Sequence, residues 1–91
     1  MNHPCQSIID QCELAVRSVA PLLKDEQVKD ALDDILQNDE WLLGLECVID
    51  WLGEEDIKIS PEQFDKFEKA YKMMSLADEL RLKSLQRLCK I

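Results

Sequence analysis

The stretch that decides the fold is NDEWLLGLECVIDWL, residues 38–52. It holds both tryptophans of the chain, one of its two glycines, one of its four cysteines and four carboxylates, with no Lys, Arg or His. At about 100° per residue, Trp41, Leu42, Gly44, Leu45, Val48, Ile49 and Leu52 fall within roughly 160° of one another, a broad core face. Leu43, Cys47 and Trp51 make a second apolar stripe at i, i+4 and i+8. Asp39, Glu46 and Asp50 line the narrow ridge that remains. A helix apolar over most of its circumference belongs at the centre of its fold. Asn38 or Asp39 is its expected cap, and Gly53 its expected terminator.

The flanks extend the pattern. Residues 25–37 form the cleanest amphipathic segment, with Val28, Ala31, Leu32, Ile35 and Leu36 on one stripe. Glu26, Asp30, Asp33, Asp34 and Gln37 take the other side. Asp25 is the expected N-cap, while Asp33 and Asp34 oppose the helix dipole in the last turns. Residues 4–20 predict a first helix on Ile8, Cys12, Ala15 and Val19, widened by Ile9 and Val16. Pro21 stops it, because a proline removes a helical hydrogen bond and pushes its predecessor out of the α region.

Beyond the central helix, GEEDIKIS reads as a short extended connection. Ser60 then opens a fourth helix, with Pro61 at the first helical position and Gln63 completing a capping box. Ile59 and Phe64 occupy the positions of a hydrophobic staple. Phe64, Phe67, Tyr71 and Met74 follow along one face. Ser75 and Asp78 repeat a weaker capping pattern before a fifth helix, whose apolar positions include Leu80, Leu85 and Leu88. Arg81, Lys83, Arg87 and Lys90 suit its C-terminal end. About five short helices with short loops predict an all-α compact bundle, residues 1–91 forming a single helical domain.

Composition agrees. Two glycines and three prolines leave long uninterrupted segments, and 46% hydrophobic with 33% charged residues is a globular balance. The N-terminal MNHPCQS has neither a basic region nor an apolar run, and no stretch approaches a membrane span. The reading is cytoplasmic, with Cys5, Cys12, Cys47 and Cys89 as reduced thiols.

Catalytic chemistry is poorly supplied. The one histidine, His3, sits near the terminus, and no metalloprotease, paired C-x-x-C or phosphate-loop motif occurs. Cys5 and Cys12 share a helix face, where packing is the ordinary fate of a thiol. DEQVKDALDDIL interleaves acids with helical apolar positions rather than with the glycine turn of a calcium loop. Carboxylates on a convex bundle imply no glycosidase cleft. We expect no enzyme, no metal and no cofactor.

What remains is charge. The net charge is −8; residues 1–56 carry 14 acids against 3 bases, residues 57–91 carry 5 acids against 8 bases. Residues 25–56 hold 12 acids and one base, Lys29. Asp30 with Asp34, and Glu46 with Asp50, are like-charge pairs at i, i+4 that destabilise a helix by a few tenths of a kcal/mol. The fourth helix interleaves Asp65, Lys66, Glu68, Lys69 and Lys72 instead. Such a front half repels phosphates, which excludes nucleic acid and favours a basic partner. The contact pool is Asp30, Asp33, Asp34, Asp39, Glu46, Asp50, Glu54, Glu55 and Asp56.

Residues 38–67, NDEWLLGLECVIDWLGEEDIKISPEQFDKF, resemble the MafI-type immunity proteins of bacterial polymorphic toxin and contact-dependent inhibition systems. Asn38, Glu40, Trp41, Leu45, Glu46, Asp50, Leu52, Asp56, Ile57, Ile59 and Ser60 carry the likeness. The chain departs from the pattern where Leu42 follows the tryptophan and the glycine is delayed to Gly44. The resemblance implies a cytosolic, non-enzymatic antitoxin that binds the C-terminal domain of a cognate toxin, with a ribonuclease expected. A nuclease presents cations to phosphate, and acidic helices can occupy that site as a phosphate mimic. The second reading is a helical adaptor of an unrelated complex, with a homodimer through Leu43 and Trp51 as its possible form.

Overall fold

The computed structural model describes residues 5–76 and 80–89. Among the described residues five α-helices succeed one another: α1 (Gln6–Val19), α2 (Asp25–Leu36), α3 (Trp41–Glu54), α4 (Pro61–Met73) and α5 (Leu80–Arg87). The all-α bundle predicted from sequence is the observed architecture. Its core is one cluster, in which Val16, Ile35, Leu45, Leu52, Phe67, Tyr71 and Leu85 are fully enclosed. Among the described residues, no helix is long and apolar enough to cross a membrane.

The apolar stripe of α1 predicts its packing: Ile9, Cys12, Ala15, Val16 and Val19 are buried, with Ile8 at the margin. The helix stops at Val19, and Pro21 continues the chain as one 3₁₀ turn, Ala20–Leu22. Pro4 lies outside the described residues. α1 packs on α4, α2 and α3, while α3 packs on α2, α1 and α5. The centre is therefore shared by α1 and α3, a correction to the expectation that α3 alone would hold it.

Gly44 sets the distance between α2 and α3. A Cβ there would lie 2.7 Å from Ile35 Cγ1 and 2.8 Å from the carbonyl oxygen of Ala31. Only a residue without a side chain lets the two backbones approach so closely. The corner between them is equally tight. Asp39 takes φ 54°, and the N–H groups of Asn38 and Glu40 donate to the carbonyls of Asp33 (3.1 Å) and Asp34 (2.8 Å). The cap of α3 is consequently Glu40, not Asn38 or Asp39. For α2, Lys24 is the cap and its N–H donates to Gln27 Oε1 at 3.0 Å. Asp25 is instead the first helical residue, still at the positive end of the dipole.

Gly53 does not end α3. The helix runs through it to Glu54, and the left-handed residue is Asp56, φ 51°. Ile57 N–H donates to Leu52 O (2.9 Å) and Asp56 N–H to Gly53 O (3.2 Å). These are the paired bonds of a Schellman end, with Asp where glycine is usual. GEEDIKIS is thus helical at its start and irregular only from residue 55.

Ser60 caps α4 as its spacing predicts. Gln63 N–H donates to Ser60 Oγ (3.1 Å), and Ser60 N–H donates to Gln63 Oε1 (2.7 Å). Phe64, Phe67 and Tyr71 are buried, as is the staple residue Ile59. Ser75 belongs to the end of α4, at φ 60°, with Leu76 N–H donating to Tyr71 O at 2.8 Å. It does not start α5, and Asp78 lies outside the described residues. Leu82, Leu85 and Leu88 face the core, whereas Leu80 is 74% exposed. Two residues turn a helix by about 200°, so Leu80 and Leu82 cannot share a face. Ile59 N–H donates to Leu88 O (2.9 Å), and Ile59 pairs with Cys89 in an isolated parallel bridge that ties α5 to the start of α4.

Candidate functional site

The acidic band divides by what each carboxylate meets. On α2, Asp30 is exposed, and Asp33 and Asp34 are half-buried. Asp33 accepts a loose ion pair from Lys29 one turn away, at 3.5 Å. On α3, Glu46 and Asp50 stand one turn apart, and both meet Arg81 of α5. Arg81 Nη1 donates to Glu46 Oε2 at 2.6 Å and Nε donates to Asp50 Oδ1 at 3.2 Å. The hydrogen bond to Asp50 and the two carboxylate charges raise the guanidinium further, and burial opposes them.

The stretch that has no cation in its own sequence therefore receives one from Arg81, 31 positions after Asp50 and 35 after Glu46. Glu46 and Asp50 fasten α5 to α3, and they are less available to a partner than Asp30, Asp34, Glu54 and Glu55. By its charge Arg81 suits the C-terminal end of α5, where the dipole favours a cation. It lies in the first described turn of that helix instead. The signal is the spacing: two acids at i, i+4 without a base beside them repel, and a cation from elsewhere relieves them.

Glu54, Glu55 and Asp56 follow at the exposed C-terminal end of α3, and Lys58 Nζ reaches Asp56 Oδ1 at 3.0 Å. Asp39 is exposed at the opposite end, in the α2–α3 corner. A 14-residue helix spans about 21 Å, so Asp39 and Asp56 do not belong to one contact point. The pool is two rows on neighbouring helices, Asp30–Asp34 on α2 and Glu46–Asp50–Glu54 on α3, with Asp39, Glu55 and Asp56 beyond their ends. Cys47 feels the charges of both rows. Burial first, and then Asp34, Asp50 and Glu46, push its thiol up, while Arg81 pulls it down.

Among the described residues, no group of three His, Cys, Asp or Glu side chains is placed to hold a metal ion, and His3 lies outside them. The cysteines are thiols, and burial pushes Cys12 up to about 12. The second apolar stripe of α3 shrinks on folding: Trp51 packs against the core and Cys47 is half-buried, leaving Leu43 at 46% exposed. No protein family, curated protein or solved structure matches the chain.

Proposed function

We propose that the chain is an immunity protein, which binds a cognate bacterial toxin domain and neutralises it in the cytoplasm without catalysis. A ribonuclease is the toxin class that the charge suits best. The observation that carries this reading is the division within the acidic band. Glu46 and Asp50 hold an arginine of their own, whereas Asp30, Asp34, Glu54 and Glu55 meet no Lys or Arg among the described residues. Asp30, Asp34 and Glu54 stand on helices fixed by the Gly44 contact and the Arg81 clasp, with Glu55 at the C-cap of α3, so their charges are positioned before any partner arrives.

A nuclease active site lined with Lys and Arg is the complementary surface, and opposed fields raise the rate of encounter. Rapid capture matters when the toxin must be met before it acts. The test is co-expression with the C-terminal domain of a toxin encoded beside this chain. Co-purification and protected cells are expected. A neighbour that neither co-purifies nor is neutralised sinks the reading. Reversing Asp33 and Asp34, or Glu54, Glu55 and Asp56, to Lys slows association and flattens its salt dependence. Unchanged rates in both variants would remove the acidic rows from the mechanism.

A further inference from the structure

A groove of about 280 Å³ runs between α1 and α4, lined by Gln11, Leu14, Glu62, Asp65, Lys66 and Lys69. None of these belongs to the acidic band, so this surface is separate from the proposed toxin face. Gln11, only 8% exposed, closes the floor, its Nε2 donating to the Lys66 carbonyl at 3.0 Å. Leu14 stands beside it half exposed, at 50%.

The four charged residues occupy i, i+3, i+4 and i+7 of α4, a single ridge. Their order along the helix is minus, minus, plus, plus. Glu62–Lys66 and Asp65–Lys69 have the spacing of helical ion pairs, yet among the described residues neither pair forms; the ion pair along α4 is Lys72–Glu68, at 3.6 Å. Lys66 Nζ turns to the carbonyl of Glu62 instead, at 3.5 Å.

A ridge with this order is complementary to itself when turned end for end. Laid antiparallel about a two-fold axis between Asp65 and Lys66, Glu62 meets the partner's Lys69 and Asp65 meets the partner's Lys66. The axis repeats both pairs, so every charge on the ridge finds its opposite. A parallel arrangement sets each charge against its like. We infer that the α1–α4 groove is a self-association surface whose occupant is a second copy of this chain, docked antiparallel across α4, with Leu14 of α1 covered beside the ridge.

An isologous patch of this kind is the ordinary form of a two-fold interface. Its limited extent places the dimer at the weak, concentration-dependent end of the range. The net charge of −8 on each copy opposes association, but salt screens it beyond about 8 Å, whereas the ridge pairs act at contact.

Sedimentation equilibrium of the full chain over a dilution series tests the assignment with two block variants. Glu62→Lys with Asp65→Lys makes the ridge wholly positive; Lys66→Glu with Lys69→Glu makes it wholly negative. The unaltered chain should dimerise, each variant alone should self-associate at least about tenfold more weakly, and their equimolar mixture should regain the dimer. Circular dichroism confirms that each variant remains helical; if one does not, the pair is replaced by Lys69→Glu, which sets Glu62 against a like charge and should weaken the dimer, and by the Glu62→Lys, Lys69→Glu exchange, which restores opposite charges and should regain it. A chain that stays monomeric at its highest soluble concentration, variants that dimerise like the unaltered chain, or a mixture that stays monomeric would each overturn the inference.

Discussion

The two flanks of α3 meet their neighbours by different physics. Toward α2 the contact is made by the absence of a side chain at Gly44, where an added Cβ would sit 2.8 Å from a backbone oxygen. Toward α5 it is made by the reach of a long one, with Arg81 bridging Glu46 and Asp50 while remaining 41% exposed. A steric seam against backbone cannot yield. A guanidinium partly in water can re-orient, and water takes over some of what it loses. The first seam fixes the geometry of the fold, and the second fixes where its last helix rests.

The largest effect belongs to the steric seam. Gly44→Ala gains about 1 kcal/mol of helix propensity and still destabilises, because the methyl is forced against the Ala31 carbonyl and Ile35. A net loss of about 2 kcal/mol is expected, which lowers Tm by about 10 °C in a domain of this size. Thermal unfolding followed by circular dichroism measures it. An unchanged or higher Tm would mean that the two helices can part without loss, and the contrast between the flanks would collapse.

The charged seam should give less. Arg81→Ala leaves Glu46 and Asp50 facing each other one turn apart, and Glu46 is the more enclosed of the two, its side chain 23% exposed. Solvent screening of the half-exposed guanidinium keeps the expected loss to about 1 kcal/mol. A double-mutant cycle with Glu46→Gln isolates the pair, and its coupling should fall as salt is added. A coupling near zero at low salt would make Arg81 a bystander.

These two seams also show what was legible in the sequence. Periodicity identified the buried face of α3, and the spacing around Ser60 identified the start of α4, because both are local patterns. The roles of the glycines were not local. Gly53, beside a run of acids, looked like a terminator, and Gly44 looked like one more core position. Their difference depends on what stands across from them, which only packing decides. The same holds for the acids. Twelve carboxylates in residues 25–56 were visible, but not that a cation from α5 would meet two of them.

The end of α3 turns that misreading into a test with the opposite sign. A Cβ at Gly53 meets nothing within 4 Å, and the residue is helical. Gly53→Ala should therefore stabilise by about 0.5–1 kcal/mol, by restricting the unfolded chain without a clash. Asp56→Gly should stabilise by a few tenths of a kcal/mol more, through relief of the left-handed φ, though it removes one carboxylate of the proposed contact pool. Denaturant unfolding distinguishes the outcomes. Destabilisation by Gly53→Ala would restore that glycine as the terminator and move the end of α3.

The smallest effect sharpens the boundary between the seams. The charge of Asp34 on α2 is the first electrostatic cause, after burial, of the raised Cys47 thiol on α3. The reactive form of a cysteine is the thiolate, which a neighbouring carboxylate disfavours. Asp34→Asn removes that charge at nearly constant shape, so more Cys47 is ionised at a given mildly alkaline pH. Its alkylation by iodoacetamide, resolved peptide by peptide with mass spectrometry, should quicken. Cys12, enclosed in the core and pushed up to about 12, should stay unreactive in both proteins and so report that the fold is intact. An unchanged Cys47 rate with Cys12 still protected would detach Asp34 from the charged flank of α3 and leave the row on α2 separate from the row on α3.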